Sequence, residues 1–191
     1  LLLGTFPEVR QRIEQIVLMG GSSSGGNVTP AAEFNIWADP EAAHMVFGAG
    51  VPIVMCGLDV TLKSGLDGAQ IEKLCQSDRK VEQACGQMLS FYLNTTRHEG
   101  EENMVAIHDA VTILFLTDPD LFSGKNAAVQ VDCSWGENRG RTICAECPDA
   151  GVVGTGDAAE DLSLSASVYL LDQVNLPEFQ RLLLSKLASL G

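Results

Sequence analysis

Three side chains able to hold a vicinal diol fall within nine positions: Asn27, Glu33 and Asn35, in the stretch Asn27-Val28-Thr29-Pro30-Ala31-Ala32-Glu33-Phe34-Asn35-Ile36. A carboxylate accepts hydrogen bonds from two neighbouring hydroxyls, and primary amides donate and accept, so they can orient a third hydroxyl. Phe34 stands between the last two polar groups and offers an apolar face. Each residue also has an ordinary use: Asn27 in a turn, Glu33 beside a cation, Asn35 at a strand cap. Taken together they point to a binding loop. A second pair, His108-Asp109, places a proton donor that works near neutral pH beside an anionic ligand. By itself that pair reads as a helix-opening aspartate and a satisfied histidine. The earlier loop gives it meaning.

The elements around these residues alternate strand and helix. Phe6 to Ile13 reads as a short helix with Pro7 at its first position. Gln15 to Met19 is a buried parallel strand, and the candidate loop follows it, where open α/β sheets bind ligands. Gly20-Gly21-Ser22-Ser23-Ser24-Gly25-Gly26 lacks the lysine of a phosphate loop and reads as a mobile loop beside a site. Asp39-Pro40-Glu41 opens a helix, Val51 to Met55 is a second buried strand, and Gly57-Leu58-Asp59-Val60-Thr61 is its C-terminal loop. Helices are expected at Gly68–Gln76 and Arg79–Arg97, the second with Val81, Ala84, Cys85, Met88, Leu89 and Tyr92 on its apolar face. Val105 to Leu116 is expected as a helix opening near His108-Asp109. Ala127–Cys133, Arg141–Cys144 and Leu162–Leu170 are expected as antiparallel additions at a sheet edge, and Asn175 caps a final helix. This is an α/β chain with an open, mainly parallel sheet flanked by helices, with a few antiparallel edge strands, in a single domain over residues 1–191.

Composition narrows the ligand. The formal net charge is -13 over 191 residues, so a nucleic acid polymer, which needs a basic face, is an unsuitable partner. Mean hydropathy is +0.12, yet no apolar run approaches the roughly 18 residues of a membrane span. The six cysteines are scattered and mostly in apolar settings, as expected of reduced thiols in a cytoplasmic protein. Cys144-x-x-Cys147 has no second pair, which leaves a zinc or redox module as the weaker reading.

As a set, these residues resemble the nucleoside hydrolase family, the inosine-uridine-preferring and pyrimidine-specific ribonucleoside hydrolases. The resemblance is carried by Leu18-Met19-Gly20-Gly21, Gly26-Asn27 through Glu33-Phe34-Asn35, Asp39-Pro40-Glu41-Ala42-Ala43, Gly57-Leu58-Asp59 and His108-Asp109. It implies hydrolysis of the N-glycosidic bond of a nucleoside to ribose and free base, assisted by calcium. It further implies that Asn27, Glu33 and Asn35 grip the ribose hydroxyls while Met19 and Phe34 line its apolar side. Asp109 would be a calcium ligand and His108 would lie over the base as the catalytic proton donor. Family members also place a base contact near Tyr92 or His98, though a core tyrosine and a solvated histidine are the preferred readings here. A homodimer or homotetramer is the implied assembly.

One departure stands out. The family's Asp-x-Asp-x-x-x-Asp-Asp motif, which supplies most calcium ligands, occurs nowhere in the chain; Asp118 and Asp120, and the sparse acids Asp149, Asp157, Glu160 and Asp161, lack that spacing. The chain starts at leucine without a helix cap, as expected of an incomplete nucleoside hydrolase domain lacking its first strands. The alternative is a truncated or degenerate homologue that keeps the ribose loop without being competent alone. Translation upstream of Leu1 discriminates the two: the acidic motif is expected there, and a stop codon or unrelated sequence would favour the degenerate reading.

Overall fold

A computed structural model of the chain describes residues 1–96, 104–147 and 168–190. In chain order its elements begin with α1 (Leu2–Thr5), a 3-10 turn (Pro7–Arg12), β1 (Ile16–Met19), α2 (Phe34–Ala38), α3 (Pro40–Phe47), β2 (Ile53–Cys56) and α4 (Leu58–Thr61). There follow β3 (Gly65–Asp67), α5 (Gly68–Cys75), α6 (Lys80–Thr96), β4 (Met104–Ala106) and α7 (Ala110–Thr117). A second 3-10 turn (Pro119–Leu121) leads to β5 (Phe122–Val131), β6 (Thr142–Glu146), β7 (Val168–Val174) and α8 (Leu176–Ala188). They divide into two compact units: Leu1–Val60 with Phe122–Gln173, and Thr61–Leu121 with Val174–Gly191.

The first unit is a mixed sheet in the order β1-β2-β7-β5-β6, flanked by helices. β1 runs parallel to β2, with Ile16 opposite Ile53 and Met19 opposite Cys56. β2 in turn runs parallel to β7, with Met55 opposite Leu170. Alternate residues of the inner strands share a face, and Ile53, Met55, Ala127, Val129, Val131, Val168 and Leu170 meet Ile36 of α2 and Phe47 of α3 in one core. Asp39 accepts from the Ala42 N–H at 2.9 Å and opens α3 as expected, with Pro40 in its first turn.

The short helix expected after Phe6 is present as a 3-10 helix, Pro7–Arg12, with Pro7 in its first turn. One expectation changes in this unit. The last strand is not an edge addition. β7 begins at Val168, lies between β2 and β5, and pairs parallel with β2. Its Val168, Leu170 and Leu171 are fully buried, as a strand covered on both faces must be. Residues 162–167 of the expected strand lie outside the described residues, as do His98 and Asp149, Asp157, Glu160 and Asp161. The antiparallel edge is real in β5 and β6, where Val129 faces Cys144 and Val131 faces Thr142.

In the second unit, β3 and β4 form an antiparallel ribbon with Leu66 opposite Val105. Both side chains join Ile71 and Leu74 of α5, with Leu89 and Leu93 of α6 and Leu183, Leu184 and Leu187 of α8 packed around them. Val105 was expected in a helix. It forms a strand because its side chain fills this cluster and its backbone pairs across to Leu66, so the helix starts only at Ala110. The apolar face of α6 is also rotated from the expected one, since Leu89 and Leu93 pack inward while Met88 and Tyr92 are 64% and 47% exposed. Among the described residues, no helix is long and apolar enough to cross a membrane.

Close backbone approach makes Gly124 of β5 a sensitive position. A Cβ there would run into the carbonyl oxygen of Leu170 on β7. Gly124→Ala is expected to lower stability by about 1–3 kcal/mol through overpacking. Asp39→Ala should lose about 1 kcal/mol through its helix cap. Denaturant midpoints measure both, and a Gly124→Ala protein as stable as the parent would contradict this packing.

Candidate functional site

Glu33 ends the candidate loop and is 3% exposed. Its Oε1 accepts from the Asn35 N–H at 2.9 Å. Its Oε2 accepts from the Gly21 N–H at 2.9 Å and the Ile36 N–H at 3.2 Å. It is therefore the N-cap of α2 and a clamp on the end of β1. A carboxylate offers about four lone-pair sites. These three bonds leave roughly one, on Oε1, for a further donor.

The other predicted residues assemble around this clamp. Asn27 Oδ1 accepts from the Phe34 N–H at 2.9 Å, which leaves the Asn27 amide N–H groups to donate. Asn35 Nδ2 lies 3.1 Å from Met19 Sδ and 3.4 Å from the Met19 carbonyl, which leaves the Asn35 Oδ1 to accept. Asn27, Phe34 and Asn35 are exposed and Met19 is half-buried. All five residues thus lie in one directly bonded group at the C-terminal end of β1. It presents amide donors, an amide acceptor and one carboxylate oxygen beside a thioether and a phenyl ring. That is a set matched to a polyhydroxylated ring with one apolar face.

The glycine-serine stretch before the loop was expected to be mobile. It is instead held by side chains from three places, Glu33 on Gly21, Thr142 on Ser22 and Asp59 on Ser23. The buried Thr142 on β6 accepts from the Ser22 N–H at 2.9 Å and donates to the Ser22 carbonyl at 2.5 Å. Asp59 accepts from the Ser23 N–H at 2.9 Å and from its hydroxyl at 2.5 Å. Gly21 takes φ of +77°, and a Cβ there would press on Met55 and Thr142. Sequence reasoning missed Thr142 and Asp59 as supports. For Asp59 the signal was its place after a buried strand; for Thr142 only the fold supplies it. A cleft of about 850 Å³ borders the same loop, between Ser23, Thr29 and Pro30 and the residues Trp37, Arg139 and Arg141. Met19, Asn27, Glu33, Phe34 and Asn35 do not line it.

The remaining two predicted residues belong to the second unit. His108 Nδ1 lies 2.9 Å from the hydroxyl of Thr61, which is 0% exposed. Asp109 occupies the N-cap of α7 but its side chain makes no cap bond. Its backbone is already helical, at φ -70° and ψ -32°, so the carboxylate does not fold back on the first turn. It stands exposed, while its carbonyl takes the Thr112 N–H at 3.1 Å and hydroxyl at 2.7 Å.

The described residues contain no group of three or more His, Cys, Asp or Glu able to hold a metal. Asp109 offers one carboxylate where calcium needs roughly six to eight oxygens. The residues present therefore do not by themselves fit that ion. The Cys144-x-x-Cys147 pair is no metal or redox pair either. Cys144 lies in β6, Cys147 extends the ladder through its N–H to Asn126 at 3.0 Å, and three residues along a strand put side chains on opposite faces. Burial also pushes the Cys144 thiol up to about 11 and that of Cys56 up to about 12, which disfavours the reactive thiolate. All six cysteines are free.

The clamp makes a direct prediction. Glu33→Gln places an amide N–H₂ against a backbone N–H whichever way it is turned. Stability should fall by about 1–3 kcal/mol, read from urea unfolding. An unchanged midpoint would mean that Glu33 is not the clamp described.

Comparison with known proteins agrees with this architecture. The family profile described as inosine-uridine preferring nucleoside hydrolase matches residues 1–181. The pyrimidine-specific ribonucleoside hydrolase RihA of Photobacterium profundum is 43% identical over 145 residues, 75% of this chain and 46% of that protein. The protein of the same name from Shewanella woodyi is 38% identical over 174 residues, 91% of this chain and 56% of that protein. Among solved structures, a plant nucleoside hydrolase, PpNRh1, matches with a TM-score of 0.84 and 28% identity, covering 97% of this chain and 57% of the other. A purine-preferring ribonucleoside hydrolase from Gardnerella vaginalis matches with a TM-score of 0.80 and 30% identity, covering 98% and 56%. The chain spans about half the length of the relatives it matches. With its described architecture and a profile match running through almost its whole length, the chain belongs to the inosine-uridine preferring nucleoside hydrolase family.

Proposed function

We propose that this chain carries the ribose-binding part of a site that hydrolyses the N-glycosidic bond of ribonucleosides, giving ribose and a free nucleobase. The observation that carries the reading is the bonded group of Met19, Asn27, Glu33, Phe34 and Asn35 with its unspent hydrogen-bonding capacity. Asn27 donates to one ribose hydroxyl, Asn35 accepts from another, and the open site on Glu33 takes a third. Phe34 and Met19 close on the apolar side of the sugar. Breaking the bond to the base flattens the ring toward an oxocarbenium ion. Hydroxyl contacts that tighten as this happens lower the barrier rather than only the binding energy. His108 donates a hydrogen bond to the leaving base, on which negative charge builds.

Calcium is proposed as the cofactor on the family likeness, with Asp109 as one ligand of a set the described residues do not complete. A cytoplasmic salvage role and a homodimeric or homotetrameric assembly are proposed on the same likeness. The relatives are named for pyrimidine and for purine nucleosides alike, so both bases belong in the assay.

Ribose release from uridine and inosine by the intact protein, with calcium and with chelator, tests the reading. Asn27→Ala and Asn35→Ala are expected to lower kcat roughly 10- to 100-fold, the cost of one hydrogen bond in the transition state. Glu33→Ala should cut activity severely and Asp109→Ala should abolish it. Asp109→Ala turning over at near the parent rate would sink the site assignment. Calcium-dependent release that is indifferent to Asn27 and Asn35 would move the ribose site elsewhere.

A further inference from the structure

We propose that Thr61 is a positioning residue that holds His108 as the neutral imidazole with its proton on Nε2. The inference rests on the proposed role of His108 toward the leaving base. It begins with a hydroxyl that has one hydrogen-bond partner among the described residues. Thr61 ends α4 and is wholly buried. Its carbonyl takes the Ser64 N–H at 3.1 Å, and the Ser64 carbonyl takes the Ile107 N–H at 2.8 Å. These two bonds tie the turn after α4 to the residue before His108. They set Thr61 Oγ1 2.9 Å from His108 Nδ1.

A buried hydroxyl needs an acceptor for its proton. Among the described residues the Thr61 hydroxyl has no hydrogen-bond partner except His108 Nδ1. Were Nδ1 protonated, it would donate to Oγ1 and the Thr61 proton would be left unpaired in the interior. The arrangement that satisfies both groups has Thr61 donating and Nδ1 accepting. A neutral imidazole then carries its one proton on Nε2.

This sets the form in which His108 acts. A neutral ring with Nε2–H is a hydrogen-bond donor, and losing that proton would leave an imidazolate. His108 therefore keeps its N–H and stabilises the negative charge that builds on the departing base. The base takes its proton from solvent afterwards, which balances the proton released when water adds to the sugar. Thr61 acts only through His108, by orienting the ring and fixing its tautomer.

Long-range 1H–15N correlation spectra of the intact protein at about pH 9, above the ordinary histidine range near 6.5, read the tautomer directly. His108→Gln identifies the resonances. The expected result is a pyridine-like Nδ1 and a pyrrole-like Nε2 for His108 in the parent and in Thr61→Ser. In Thr61→Val the Nδ1 and Nε2 shifts should both move away from the parent values. A pyrrole-like Nδ1 in the parent would overturn the proposal, and so would a Thr61→Val spectrum identical to the parent. If Thr61→Val does not fold, the parent and Thr61→Ser spectra still decide the tautomer. In the assay, Thr61→Val should lose kcat roughly tenfold with little change in KM, and Thr61→Ser should recover it. Absence of ribose release from the parent itself would count against the proposed function alone, because the spectra judge the tautomer separately.

Discussion

A buried carboxylate holds together the first unit's loop between β1 and α2. Taking an anion out of water is costly unless its oxygens are hydrogen-bonded. Glu33 meets that cost with three backbone N–H groups, one from Gly21 at the end of β1 and two from the start of α2. The partly positive N-terminus of α2 favours the charge as well. Because its donors come from both ends of the loop, the bond network fixes the strand's exit and the helix's entry against each other. Asn35 reaches back to Met19, and Asn27 reaches forward to Phe34, from a frame that this clamp has set. The same residue proposed to touch the sugar is thus the one that shapes the loop holding it.

Further supports make that frame stiff. Thr142 both accepts from and donates to the backbone of Ser22, and Asp59 takes two bonds from Ser23. A run of glycine and serine would otherwise have many conformations to lose on binding. With its backbone already tied at Gly21, Ser22 and Ser23, the loop has less to lose when a ligand arrives, which is the physical content of preorganisation.

Aspartates in this chain show how backbone geometry decides what a side chain is for. Asp39 and Asp67 precede their helices in non-helical conformations, and each accepts a backbone N–H. Asp109 also precedes a helix, but its own φ and ψ are helical and its carboxylate is not used as a cap. Sequence alone reads Asp39 and Asp109 alike as helix openers. Only the local backbone separates two capping carboxylates from one, beside His108, that makes no cap bond.

Much of the fold was legible because it rests on short-range rules. β1 and β2 are apolar runs, α3 has Asp39 and Pro40 at its start, and α8 has Asn175 and Pro177. The grouping of Asn27, Glu33 and Asn35 was legible too, since one loop carries all three. What stayed hidden depends on partners distant in the chain. β7 is interior because β2 and β5 lie on either side of it, and Val105 is a strand because Leu66 is opposite. The glycine-serine loop is held because Thr142 arrives from 120 residues away. The sequence by itself determined which residues can grip a sugar and which segments can be strands or helices, since side-chain chemistry and periodicity are local properties. Tertiary structure alone decided that Glu33 is a clamp, that Asp109 makes no cap bond and that Thr61 faces His108, because hydrogen-bond saturation belongs to the folded arrangement and not to any one residue.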